Sequence, residues 1–107
     1  MIIRIWRGLC TGENADAYER HVTQRVFPAL GQIRGHRGAY LLRRQADGRT
    51  EFLAVTAWDS MDAVREFTGP DPDVAVVEPE ARAVLADFDR FVRHYDLVHA
   101  SKSPPVQ

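Results

Sequence analysis

Two segments of the sequence read as strands in which both alternating sets of positions are apolar. In residues 2–10, Ile3 and Ile5 lie on one side and Trp6 lies on the other, and residues 51–58 repeat this pattern. An antiparallel strand with one face in water would alternate apolar with polar residues. Both faces of the predicted sheet therefore need to be covered.

The predicted elements follow one another in the order strand, helix, strand, strand, helix, strand. Apolar residues at intervals of three and four predict the first helix, and the Asp47-Gly48 pair predicts a tight turn between the two middle strands. Pro28 removes a backbone donor inside the first helix and predicts a kink or a short second piece there. The predicted bounds are strands 2–10, 39–44, 51–58 and 88–98, with helical stretches 14–33, 61–67 and 73–86, the last interrupted by Pro79.

This order predicts an α+β fold of the ferredoxin-like βαββαβ kind, with a four-stranded antiparallel sheet and both helices on one face. Since two helices cover only one face, we expect the other face to pack against a second copy, which gives a homodimer with a closed two-sheet structure. The interpretation assigns residues 1–99 to a single domain and residues 100–107 to a disordered tail.

Charge and cysteine content exclude several classes of protein. The 14 Lys and Arg residues nearly balance the 15 Asp and Glu residues, so neither nucleic acid nor a membrane is an expected partner. Arg4 and Arg7 interrupt the first apolar run, which is unlike a signal peptide. A single cysteine, Cys10, allows no internal disulfide and no zinc ribbon. We expect a cytoplasmic protein.

Four segments, in this order and spacing, resemble the antibiotic biosynthesis monooxygenase family of dimeric α/β-barrel proteins. The resemblance covers about residues 2–98 and implies a dimer that encloses a pocket for a small aromatic ligand. Family members include oxygenases that oxidise phenolic or quinol-like polyketides without metal or flavin, and relatives that bind and open haem. The segments are IIRIWRG, FPALGQIRGHRGAYLLRR, EFLAVTAWDSMDAVREFTG and FVRHYDLV.

The chain departs from both functional patterns of the family. The anthrone oxygenases carry an Asn and a Tyr where this chain has Ala54 and Val64. The haem-degrading relatives carry an Asn near Arg7 and Gly8 and a His at Thr68. The resemblance therefore implies a monooxygenase that uses O2 with no cofactor and no metal, and it disfavours haem degradation.

Oxygenation of a phenol by O2 begins with deprotonation, and histidine is the natural base near neutral pH. His94, in the last strand, is the predicted catalytic base, and His21 on the first helix is the competing one. If even-numbered positions of three strands share one face, Arg4, Trp6, Thr56 and Trp58 join His94 there. The predicted substrate pocket comprises Arg4, Trp6, His21, Tyr40, Thr56 and Trp58.

Structural roles compete with each of these assignments. A strand histidine is often hydrogen-bonded for structure alone, the tryptophans can be core, and Arg4 can pair with Asp96 or Asp89. Two function classes stay open. One is an enzyme, either the monooxygenase or a related isomerase or cyclase. The other is a dimeric ligand-binding or accessory protein without turnover.

Overall fold

The computed structural model describes residues 1–101 as an antiparallel sheet covered on one face by helices. The strands lie in the order β2, β3, β1, β4, and β5 also pairs with β1. The ferredoxin-like α+β prediction is confirmed. The strands are β1 Ile2–Thr11, β2 His36–Ala46, β3 Arg49–Trp58, β4 Asp87–Phe88 and β5 Arg93–Asp96.

The first helical stretch is three joined pieces, α1 Gly12–His21, a π-helical turn Val22–Val26 and α2 Phe27–Leu30. The amide of Phe27 donates to the carbonyl of Val22, which is the i to i+5 bond of a π-helix. Pro28 follows at the start of α2, where its missing donor costs least. The predicted interruption near Pro28 is confirmed, and the stretch ends at Leu30 instead of residue 33.

The β2–β3 hairpin is longer than predicted because its turn has only two residues. Asp47 and Gly48 both have positive φ, as a type I′ turn requires, with values of 53° and 77°. Pairing therefore begins at once with Ala46 opposite Arg49.

The helical stretch predicted for residues 73–86 is wrong over its first half. Only α4, Pro79–Val84, is helical, because Pro79 cannot continue a helix and holds Glu78 in an extended conformation. The preceding helix, α3, spans Met61–Thr68, and the segment between α3 and α4 is irregular. We call this segment, residues 69–78, the strap.

The predicted last strand 88–98 is interrupted, so β4 and β5 are separate. Asp89 still bonds β1, since its amide donates to the carbonyl of Arg7 at 3.0 Å, whereas residues 90–92 separate from β1 and bond the strap instead. The amide of Val92 donates to the carbonyl of Asp73 at 2.8 Å, and that of Ala75 donates to the carbonyl of Arg90 at 2.9 Å. Competition from the strap for backbone partners explains the interruption. Of the tail predicted to be disordered, residues 102–107 lie outside the described part.

The two faces of the sheet differ in how they are covered. Cys10 and Phe52 pack under α1, and Trp58 packs against Val64 of α3, so the core lies on the helical face. The opposite face, which we call the open face, carries both half-buried and exposed apolar side chains. They are Ile3, Ile5, Leu53, Val55 and Ala57, which are half-buried, and Tyr40, Leu42 and Tyr95, which are exposed. Within residues 1–101, no helix is long and apolar enough to cross a membrane.

Glu51 is the buried charge of the open face. Its carboxylate accepts hydrogen bonds from Arg7 at 2.5 Å and from Arg44 at 2.6 Å. These bonds, that to Arg44 first, lower the pKa of Glu51 from 4.5 to about 2. The ionised carboxylate therefore stabilises the fold above pH 4.5, and this stabilisation is lost as the pH falls through about 2.

We expect Glu51→Gln to lower the melting temperature at pH 7, and we expect the difference from the wild type to shrink between pH 4.5 and 2. Thermal unfolding followed by circular dichroism across this range measures it. Asp89→Asn is the control. Oδ1 of Asp89 lies 3.8 Å from Nη1 of Arg7, and an ion pair between two such exposed side chains contributes little to stability. An equal effect of the two substitutions, or one independent of pH, would contradict the assignment.

Candidate functional site

A partly open cavity lies between the helical face of the sheet, the first helical stretch and the strap. Its volume is about 90 Å³. Ligand pockets for drug-sized molecules are commonly about 300–1,000 Å³, so a cavity of this volume suits a ligand of roughly one ring. Apolar residues dominate its wall. The helical wall is Tyr18, His21, Val22, Val26, Phe27 and Leu30, and the strap contributes Val76, Val77 and Glu78.

Register places the polar residues of the sheet wall on one face. Arg4 of β1 stands opposite Thr56 of β3 on one side and His94 of β5 on the other. Directly paired residues of antiparallel strands share a face. The predicted agreement of even-numbered positions across the three strands is therefore confirmed.

Arg4 is the buried charge of this wall, with 5% of its surface exposed. Its Nη1 atom donates to the carbonyl oxygen of Pro72 at 2.6 Å and to Nε2 of His94 at 2.9 Å. Burial lowers the pKa of Arg4 to about 10, and the nearby charge of Asp73 opposes this. The guanidinium thus stays charged at neutral pH, and it bonds neither Asp96 nor Asp89, the partners considered from the sequence.

The hydrogen bond from Arg4 fixes the tautomer of His94. A guanidinium can only donate, so Nε2 of His94 must accept. Its Nδ1 then carries the proton and lies 3.3 Å from Oδ1 of Asp73 in the strap. Burial, followed by the charge of Arg4, lowers the pKa of His94. In this arrangement His94 is neutral, and its basic nitrogen is occupied.

His21 is the histidine of the cavity wall. It lies at the end of α1, just before the π-helical turn, and its buried Nε2 atom has no hydrogen-bond partner among the described residues. Tyr18, one turn earlier on the same wall, has its phenol pKa raised by burial. A buried ring nitrogen without a partner is available to a group that a ligand brings.

Phe67 of the cavity wall and Trp58 behind it form an aromatic stack. The Cζ atom of Arg4 lies 5.7 Å from the ring centroid of Phe67 in α3. The Phe67 ring stacks on that of Trp58, with 6.1 Å between the ring centroids. The Trp58 indole N–H donates to the Thr56 hydroxyl at 2.8 Å. Trp58 therefore supports the wall from behind.

The structure brings together four of the seven predicted site residues. Arg4, Trp6, His21 and Thr56 line the cavity, whereas Trp58 stands behind it and His94 bonds Arg4 beside it. Tyr40 does not join them: it pairs with Val55 on the open face and is 64% exposed. Its partner Val55 precedes Thr56 in β3, and neighbouring residues of a strand face opposite sides of the sheet. Sequence reasoning missed Tyr18, Phe67, Asp73 and Glu78, of which only Tyr18 had a signal, its spacing from His21.

The sequence model of the antibiotic biosynthesis monooxygenase family matches residues 1–72. The chain belongs to this family. No curated protein matches it in sequence.

Solved structures share the fold along almost the whole chain. The haem degrader MhuD of Mycobacterium tuberculosis is 18% identical with a TM-score of 0.66, over 95% of this chain and 100% of that one. A mutant of SnoaB, a cofactor-independent oxygenase of Streptomyces nogalater, is 18% identical with a TM-score of 0.65, over 92% and 94%. A Deinococcus radiodurans protein named for the same family is 16% identical with a TM-score of 0.63, over 100% and 99%. At these identities the similarity establishes the fold.

Haem does not fit the cavity as the structure shows it. About 90 Å³ is too small for a porphyrin, which exceeds a single ring severalfold in size. Thr68, at the position of the family's haem-side His, donates its hydroxyl to the carbonyl of Gly69, and Arg7 binds Glu51 on the open face. Among residues 1–101, no three His, Cys, Asp or Glu side chains are placed to hold a metal ion.

We expect Thr56→Val to destabilise the protein by about 1–3 kcal/mol, because it leaves the buried Trp58 N–H without an acceptor. Urea unfolding measures the change. Thr56→Ser keeps the hydroxyl and is the matched control, with a smaller loss expected. If valine proved as stable as the wild type, the bond would contribute nothing to the fold.

Proposed function

We propose that this chain is a monooxygenase that uses O2, with no metal or organic cofactor, to oxidise a phenolic or quinol-like small aromatic compound. The proposal rests on the composition of the cavity. Its wall is mainly apolar and holds a buried guanidinium, Arg4, and an imidazole nitrogen, Nε2 of His21, that has no hydrogen-bond partner among residues 1–101. Membership of the family supports it. SnoaB, an oxygenase described as cofactor-independent, has the same fold.

Each polar group has a role in the first step. The phenol or enol loses its proton to Nε2 of His21, and the oxyanion that forms is stabilised by Arg4. Both groups act in an apolar enclosure, where electrostatic interactions are stronger than in water. His94 bonds Arg4 and so acts as a positioning residue for the guanidinium.

The oxidation balances without an external reductant. For a methylene group activated by the phenolic ring, the anion gives one electron to O2, and the two radicals combine to form a C–O bond. Protonation gives a hydroperoxide, and its O–O bond breaks as the carbon loses its second hydrogen. The product gains a C=O group, and the other oxygen atom leaves as water.

The second candidate is a ligand-binding protein of the same fold without turnover. One observation favours it: Ala54 lines the cavity and Val64 lies in the core, where the family's anthrone oxygenases carry Asn and Tyr. Saturable binding of a hydroquinone with no oxygen uptake would establish this alternative. A product isomeric with the substrate, also without uptake, would establish an isomerase or cyclase.

We expect His21→Ala to lower turnover by about a hundredfold or more, the scale of losing a general base. Oxygen uptake with a panel of anthrones and hydroquinones, with and without chelator, measures it. His94→Ala is the matched comparison, for which we expect the larger change in KM, because it frees Arg4. The reverse result, with activity surviving in His21→Ala and lost in His94→Ala, would show that His94 is the base, as the sequence analysis predicts.

We also propose that residues 1–99 form the single domain and that two copies pair through their open faces. Support comes from the apolar side chains that this face leaves exposed, which include Tyr40, Leu42 and Tyr95. An exposed apolar surface of this extent is typical of an interface. Face-to-face pairing would cover what the helices do not.

We expect Leu42→Arg to convert the dimer to a monomer at micromolar concentration, because it places a charge in the apolar contact. Light scattering measures the mass. Ala83→Arg adds the same charge to an exposed position of α4 on the helical side and should leave the dimer intact. A wild-type monomer, or a dimer that only Ala83→Arg dissociates, would refute open-face pairing.

A further inference from the structure

One atom of Arg4 holds the strap to the sheet. Nη1 donates to the carbonyl of Pro72 at 2.6 Å and to Nε2 of His94 at 2.9 Å, and His94 in turn contacts Asp73 at 3.3 Å. Two adjacent strap residues are thus tied, directly or through His94, to a single guanidinium nitrogen. Arg4 is the anchor of the strap on the sheet side.

The strap has further attachments in the described part of the chain: Nε of Arg82 donates to the carbonyl of Val77 at 3.2 Å, and Val77 packs against the core. The strap also bonds the segment before β5 through the amides of Ala75 and Val92, and it includes the isolated bridge between Val74 and Phe91. Beyond this anchorage, the strap supplies Val76, Val77 and Glu78 to the cavity wall. Its position therefore affects how far the cavity opens to solvent.

The charge of Arg4 is not matched by a carboxylate. Among residues 1–101, no Asp or Glu oxygen lies within 4.0 Å of its guanidinium, and the nearby Asp73 is directed to His94. A buried charge without a partner is costly. All the described hydrogen bonds of Arg4 use Nη1, so the donors on Nε and Nη2 are available to an anion in the cavity.

We propose that Arg4 couples the charge of the ligand to the closure of the strap. An aromatic ligand with an anionic oxygen, as a phenolate or a carboxylate, binds the Nε and Nη2 side of the guanidinium. This neutralises the buried charge and fixes Arg4 in the orientation that holds Pro72. Since coupling is reciprocal, the closed strap in turn favours the anionic ligand over a neutral one of the same shape.

The coupling stands on the geometry of the cavity and holds whether or not oxygen is consumed. Benzoate and benzamide are suitable probes, since they match in shape and differ in charge. The backbone amides of Ala75 and Val92 report the strap, because both bond across it and exchange with deuterium only when it opens. Calorimetric titration of the full chain gives the affinities, and hydrogen exchange gives the opening.

We expect benzoate to bind about tenfold or more tightly than benzamide, as a charge-assisted pair predicts, and to slow exchange at both amides. Arg4→Gln should abolish both the preference and the slowing, whereas Arg34→Gln, at an exposed arginine outside the cavity, should keep both.

Asp73→Ala keeps the proposal testable if Arg4→Gln fails to fold, because Asp73 is exposed and its loss is tolerable. In this variant the preference for benzoate should persist, while both amides exchange faster with and without benzoate. Equal affinity of the wild type for the two probes would overturn the proposal. So would benzoate binding that leaves exchange at Ala75 and Val92 unchanged.

Discussion

The pairing of β1 on both edges is the constraint on which the rest of the structure depends. β1 pairs with β3 along its whole length and with β4 and β5 on its other side. A strand fixed on both sides cannot slip by one residue without moving every side chain to the opposite face. This register alone determines that Arg4 lies under the helices and that Arg7, three residues later, lies on the open face.

Two buried charges are satisfied in different ways because of that register. Glu51, on the open face, has two arginine partners and is fully compensated within the chain. Arg4, on the helical face, has a carbonyl oxygen and a neutral imidazole as partners. The first arrangement serves folding. The second leaves positive charge at the wall of an apolar cavity, which is the condition that anionic chemistry needs.

The parts of the molecule that follow local rules could be predicted from the sequence. Strand periodicity, the Asp47-Gly48 turn and Pro28 specified the element order, the hairpin and the break in the first helical stretch. Counting along each strand gives parity only within that strand, so the shared face of Arg4, Thr56 and His94 was an assumption, which the register confirms. Tyr40 was misplaced because the two-residue turn pairs even-numbered residues of β2 with odd-numbered residues of β3, so that Tyr40 lies opposite Val55 on the open face. The irregular pairing between His36 and Gly38 lies beyond Tyr40 and does not affect it.

The strap could not be predicted, for a different reason. Its residues 73–78 have apolar spacing that suits a helix, but besides the effect of Pro79, backbone hydrogen bonds to the segment 90–92 hold Asp73 and Ala75 out of a helix. Contacts between residues so far apart in sequence leave no local pattern. The role of Phe67 under Arg4 is hidden for the same reason, since it arises where α3 meets the sheet.

The π-helical turn Val22–Val26 makes the length of the first helical stretch a determinant of cavity shape. A π-helical turn amounts to one residue inserted into an α-helix. Deletion of that residue would restore regular α-helical bonding and rotate α2 by about 100° about the helix axis, since 3.6 residues make a full turn. Phe27 and Leu30 would then leave the cavity wall. Relatives with the same wall residues can thus differ in ligand through a single insertion or deletion, a kind of divergence that a comparison of substitutions alone would overlook.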